Sequence, residues 1–185
     1  TKGISLFLVP KILPKQDGFL GEKNSLECGS IEKKMGVNAS PTCVMHYNGA
    51  KGWLVGNLHQ GMKAMFIMMN GARLMVGVQG LGMAEIAYQS ALHYAKERLQ
   101  GRSLKGAKNP DKEADPILVH PEIRKNLLKI KTFTEGLRGL IAWTGLQVDI
   151  AKLEEDKFKK QYADDWVALM TPIIKSFATD VGCEA

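Results

Sequence analysis

An α+β fold is predicted, a partial antiparallel β-domain followed by three long helices, on three observations. Residues 73–98 form one uninterrupted helical pattern with a column of small residues. Short strand-like stretches before residue 57 are separated by Asp17-Gly18 and Asn48-Gly49. From about residue 58 the apolar period becomes helical. The expected division is therefore residues 1–57 and 58–185.

In the first part, GISLFLVP at 3–10 alternates, NSLECGSIE at 24–32 is strand-compatible, and TCVMHY at 42–47 suits a pleated surface. Pro10 and Pro14 limit the first strand, and Asp17-Gly18 marks a turn. Asn48-Gly49 is the strongest hairpin signal and leads to KGWLVG. The expectation is a small antiparallel sheet of about four strands. So few strands cannot close a sandwich or barrel, and with Thr1 opening directly on a strand-like run, the chain reads as a piece of a larger protein.

Helical period begins with Met62, Met65, Phe66 and Met69 and runs to about Gly101. Gly77, Gly80, Ala84, Ala87, Ala91 and Ala95 recur at spacings of three and four, so they share one face and let another helix approach closely. Each helical glycine costs about 1 kcal/mol against alanine, which predicts a packing return. GRSLKGAKNPDKEADP at 101–116 has no period and reads as an exposed loop of unusual length. His120-Pro121-Glu122 opens a second helix, with Ile123, Leu127, Ile130, Leu137 and Ile141 as its buried stripe. A third helix is expected from near Glu154, burying Phe158, Tyr162, Leu169, Ile173 and Phe177, with Pro172 bending it.

Composition excludes several classes. Charged residues break the best apolar run at Lys63, Arg73, Glu85 and Lys96, so no membrane span is expected. The net charge of +6 is spread through segments such as EIRKNLLKIK and LEEDKFKKQYADD, which argues for solvated helix faces and against nucleic acid. Three widely spaced cysteines, Cys28, Cys43 and Cys183, fit neither a disulfide framework nor a CxxC site, and a reduced, cytoplasmic setting is expected. His46, His59, His93 and His120 lack ligand spacing, so no metal site is expected.

Motifs for common chemistries are weak. Gly77, Gly80 and Gly82 reverse the GxGxxG spacing and lie inside helical period, which favours helix packing over a nucleotide loop. No GxSxG or Cys/His pairing supports a hydrolase. The run MKAMFIMM at 62–69 suits ordinary core or an adaptable acyl-binding wall, with core favoured. Arg73 and Arg98 stand out in an apolar, small-residue helix, where an unpaired buried guanidinium is costly; snorkelling to solvent is the default.

The order of motifs is more specific than any one of them. GISLFLVPK at 3–11, IEKKMGVNASPTCVMHYNGAKGWLVG at 31–56, MFIMMNGARLMVGVQGLGMAEIAYQSALHYAKERLQGR at 65–102 and ADPILVHPEIRKNLL at 114–128 together resemble the acyl-CoA dehydrogenase family, in particular the subgroup that includes 3-methylmercaptopropionyl-CoA dehydrogenase. The resemblance implies the C-terminal part of a middle β-domain in 1–57 and, in 58–185, three long helices of a C-terminal four-helix bundle. It also implies a homo-oligomer, dimer or tetramer, with FAD at a subunit junction.

The activity implied is α,β-desaturation of an acyl-CoA thioester: a glutamate base takes the α proton, the β hydrogen leaves as hydride to flavin N5, and electrons pass to an electron-transfer flavoprotein. By the same resemblance, Arg98 matches the arginine that contacts the FAD pyrophosphate, with Gln100 beside it. Arg73 matches the arginine beside CoA, Asn70 takes the place of an aspartate that hydrogen-bonds pantetheine, and Met69 falls on the acyl-channel side. No catalytic residue is assigned, because the family's glutamate lies beyond the later bundle helices; Glu154, Glu155 and Glu184 do not take that role. The chain alone is expected to be catalytically silent and to bind FAD weakly or not at all. Rival readings are a non-catalytic helical oligomerisation module and an acyl-CoA oxidase.

Overall fold

Turn chemistry and side-chain caps divide the first part of the chain into six short strands. The computed structural model describes residues 2–185, and Thr1 lies outside them. Strands β1 (Leu6–Leu8), β2 (Ile12–Pro14), β3 (Leu20–Lys23), β4 (Leu26–Ile31), β5 (Cys43–Tyr47) and β6 (Trp53–Val55) are followed by helices α1 (Gly61–Glu97), α2 (Pro121–Leu153) and α3 (Lys157–Glu184). The α+β class is borne out. The chain divides into two compact units, residues 1–67 and 68–185.

In the first unit the strands form three antiparallel pairs, β1 with β6, β2 with β3, and β4 with β5, in place of the single small sheet expected. The Asp17-Gly18 turn joins β2 to β3, with Gly18 at φ +82° and Phe19 N–H donating to Asp17 Oδ1 at 3.0 Å. Asn48-Gly49 is a turn, with Gly49 at φ +75°, but it does not close a hairpin between β5 and β6. Buried Asn24 is the physical reason. Its Oδ1 accepts from Lys51 N at 2.9 Å and its Nδ2 donates to Lys51 O at 2.8 Å and to Pro10 O at 2.9 Å. One amide thus satisfies the backbone at Lys51 as a strand partner would, and β6 pairs with β1, Leu8 opposite Trp53. The ladder faces are uncovered, Phe7 and Trp53 being 52% and 49% exposed.

Gly61 opens α1 where no side chain fits: its N–H donates to Ile4 O at 2.8 Å, and a Cβ there would lie 2.4 Å from Leu6 N. In the second unit the small-residue column does what its spacing predicts. A Cβ on Gly77 would lie 2.5 Å from Ile174 Cγ2, and one on Gly80 2.4 Å from Ala178 O. Helices α1 and α3 therefore meet almost backbone to backbone, with Leu81, Leu137, Ile174 and Ala178 as the core. An ion pair between Arg138 and Glu85 at 2.6 Å ties α2 to α1.

Helix α2 starts at Pro121 as expected, and Leu127 and Leu137 are buried on its inner face. Helix α3 starts at Lys157 under an Asp156 cap whose Oδ1 accepts from Phe158 N–H at 2.9 Å. Its buried face corrects the expectation. Ala163, Thr171, Ile174, Ala178 and Val181 are inside, whereas Phe158, Tyr162, Leu169, Ile173 and Phe177 are exposed. Close approach to the glycines of α1 selects the small face of α3 and turns its large side chains outward. No residue of the methionine segment is fully buried, Met68 being 65% exposed and Met65, Phe66 and Met69 half-buried, so it is not ordinary core within this chain. Contrary to the expectation from its charges, α1 is long and apolar enough by length and composition to cross a membrane; its glycine face packs on α3, as in a bundle helix.

Candidate functional site

The residues singled out from the sequence fall into two groups, one about a third of the way along α1 and the other just past its C-terminal end. Met69, Asn70 and Arg73 lie on one turn of the helix, at the three- and four-residue spacing that puts side chains on one face, and all three are half-buried. Arg98 follows the last helical residue, and Gln100 lies two residues further; both are exposed. At 1.5 Å per residue the two arginines are about 37 Å apart along the helix axis. The groups cannot share one small ligand, but they suit two different ones.

Electrostatics separate the arginines near the loop. Arg98 enters no ion pair among the described residues, so its guanidinium is available to an anion. Arg102 is committed to the loop: its Nη1 donates to Asn109 O at 2.9 Å and to Asp115 Oδ1 at 3.4 Å, and its Nη2 donates to Lys112 O. Asp115 is the site residue that sequence reasoning missed. It is 0% exposed, in a segment read only as loop. The Ser103 N–H bond above all, then those from Asn109, Lys108 and Arg102, hold its carboxyl below the usual carboxylate range, outweighing the opposing effect of burial. Its one sequence signal is an acid immediately before Pro116.

Other groups are accounted for structurally. Glu154 Oε1 accepts from Glu155 N and Asp156 N at 3.0 and 3.2 Å, and Glu184 pairs with Lys129 at 3.0 Å. Gly77, Gly80 and Gly82 are mid-helix, so they form no phosphate loop. A cavity of about 960 Å³ is walled by Tyr88, Leu92, Leu118 and Leu127 with Lys105 and Arg124 at its edge, and includes none of the sequence-assigned residues.

Along its whole length the chain is similar to part of acyl-CoA dehydrogenases, and its strand pairs and three long helices, with Arg73 within the first helix and Arg98 just past its end, fit that resemblance. Over 184 residues, all of this chain and 31% of the relative, it is 43% identical to a 3-methylmercaptopropionyl-CoA dehydrogenase of Ruegeria pomeroyi. It is 36% identical over 192 residues to the broad-specificity linear acyl-CoA dehydrogenase FadE5 of Mycobacterium tuberculosis, covering 97% of this chain and 30% of that protein. Among solved structures, ACDH-11 of Caenorhabditis elegans, crystallised with C11-CoA, matches its fold with a TM-score of 0.71 at 20% identity, over 94% of this chain and 26% of that one. No family model matches the chain. The resemblance to the acyl-CoA dehydrogenase family is borne out along the whole sequence. The chain spans about 31% of the length of the first of these relatives and 30% of the second.

Proposed function

We propose that the protein carrying this chain is an FAD-dependent acyl-CoA dehydrogenase that desaturates an acyl-CoA thioester between its α and β carbons. The observation that carries the reading is the end-to-end match to acyl-CoA dehydrogenases together with an exposed Arg98 that has no ion-pair partner among the described residues. FAD fits the donor set: a free guanidinium and, two residues on, an exposed amide suit a pyrophosphate. When bound, FAD supplies the hydride acceptor.

The chain's own residues bind and orient. Arg98 and Gln100 would hold the cofactor's phosphates. Arg73, half-buried on α1, would face the phosphate-bearing part of the substrate, Asn70 would hydrogen-bond its pantetheine arm, and Met69 would pack on the acyl chain. Asn70 keeps a polar contact without a charge, which suits a neutral amide partner.

The same reading includes an electron-transfer flavoprotein as electron acceptor, a homo-oligomer and a cytoplasmic setting. The outer face of α1 supports the oligomer: Met75, Val78, Met83 and Ile86 recur on it and are 67%, 41%, 57% and 57% exposed. The three free cysteines are in keeping with a reducing compartment.

Anaerobic addition of acyl-CoA to the full-length protein tests the activity. Bleaching of flavin absorbance, an enoyl-CoA product and reoxidation by electron-transfer flavoprotein are expected. Rapid reoxidation by oxygen with peroxide release would make it an oxidase, and a purified protein without flavin that still oligomerises would make it a helical module.

A further inference from the structure

The backbone beyond α1 is tied down around one buried carboxylate. Asp115 Oδ2 accepts from Ser103 N–H at 2.9 Å, and Oδ1 accepts from Lys108 N–H at 2.9 Å and Asn109 N–H at 2.7 Å. Its main chain does equal service: Gln100 N–H donates to Asp115 O at 2.9 Å, and Asp115 N–H donates to Gly101 O at 2.9 Å. Two further bonds close the segment. Ile117 N–H donates to Arg98 O at 2.8 Å, and His120 Nε2 lies 2.7 Å from Gln100 O.

A helix end leaves its last carbonyls without intrahelical partners, and the residues after it ordinarily fray. Here α1 stops at Glu97, yet Arg98, Gln100 and Gly101 each have a backbone group bonded within residues 115–120. A cation on a frayed end must be ordered when it binds an anion, at a cost in affinity, whereas one on a fixed backbone avoids most of that cost. Asp115 also engages Arg102, which leaves Arg98 as the arginine open to a ligand on this segment.

We infer that Asp115 is a positioning residue for the flavin contact of Arg98, acting through the main chain of residues 98–101 and by keeping Arg102 engaged in the loop. This rests on the flavoenzyme reading above. The role predicts that the effect of Asp115 on FAD binding passes through Arg98, not through general loop stability.

The test is a double-mutant cycle on the full-length, flavin-depleted protein, with the FAD dissociation constant read by fluorescence titration and folding by circular dichroism and melting temperature. Asp115→Asn, which turns an amide donor toward Ser103 N–H, is expected to weaken FAD about tenfold. In an Arg98→Ala background the same change should weaken it no further. Arg102→Ala, which leaves the carboxylate its three main-chain donors, should weaken FAD about threefold and decides the matter if Asp115→Asn does not fold. Unchanged FAD affinity in a folded Asp115→Asn or Arg102→Ala variant, or losses that multiply with Arg98→Ala, overturns the inference while the flavoenzyme reading stands. Unchanged FAD affinity in Arg98→Ala alone overturns the contact itself, and the inference with it.

Discussion

Asp115 shows what a single residue does that its neighbours in sequence do not announce. Its carboxylate is buried in a segment rich in Gly, Lys, Pro and acids, where polarity and lack of period correctly read as loop but carry no sign of a centre. Its ionisation has a measurable consequence. Because main-chain N–H groups and Arg102 lower its folded pKa below the unfolded value, the carboxylate adds stability above the ordinary carboxylate range, and that stability is lost as pH falls through the lowered value. Thermal melts from neutral to acid pH should therefore show the wild type more stable than Asp115→Asn at neutral pH, with the gap closing in acid. A gap that persists or widens on acidification contradicts the assignment. The two arginines stood out in the sequence for a different reason: Arg73 lies inside an apolar, small-residue helix and Arg98 just past its end, where Arg98 is exposed without an ion pair among the described residues.

Among the elements, the long helices were the most legible and their partners the least. The column from Gly77 to Ala95 predicted close helix contact, and α3 supplies it. The face of α3 was misread because large apolar side chains suggest burial, whereas the glycines of α1 draw in the face of α3 that carries Ile174, Ala178 and Gly182. Strand pairing was missed at β6 because Asn24, distant in sequence, satisfies Lys51 and diverts a chain that Asn48-Gly49 would otherwise fold into a hairpin. Two glycines of α1 test the packing argument in opposite directions. Gly82→Ala meets nothing within 4 Å and should stabilise the second unit by about 1 kcal/mol through helix propensity alone. Gly80→Ala gains the same propensity but meets the Ala178 carbonyl, and should destabilise by about 1–2 kcal/mol. Chemical denaturation of both variants reads the signs; equal effects contradict backbone-to-backbone packing.

For the whole molecule, one helix serves three purposes on separate faces and ends. The glycine face of α1 holds α3, its outer face leaves Met75, Met83 and Ile86 uncovered, and the two cations stand at Arg73 within it and Arg98 just past its end. The span of about 37 Å between the two arginines is what makes two phosphate-bearing ligands, not one, the economical reading. Substituting Arg98→Ala and Arg73→Ala separately in the full-length protein, and measuring bound flavin and acyl-CoA KM in each, tests this division most directly. The account predicts that Arg98→Ala loses flavin, with FAD binding weakened about a hundredfold, while Arg73→Ala keeps its flavin and raises KM. Full flavin occupancy in Arg98→Ala, or flavin loss in Arg73→Ala with KM unchanged, would contradict it.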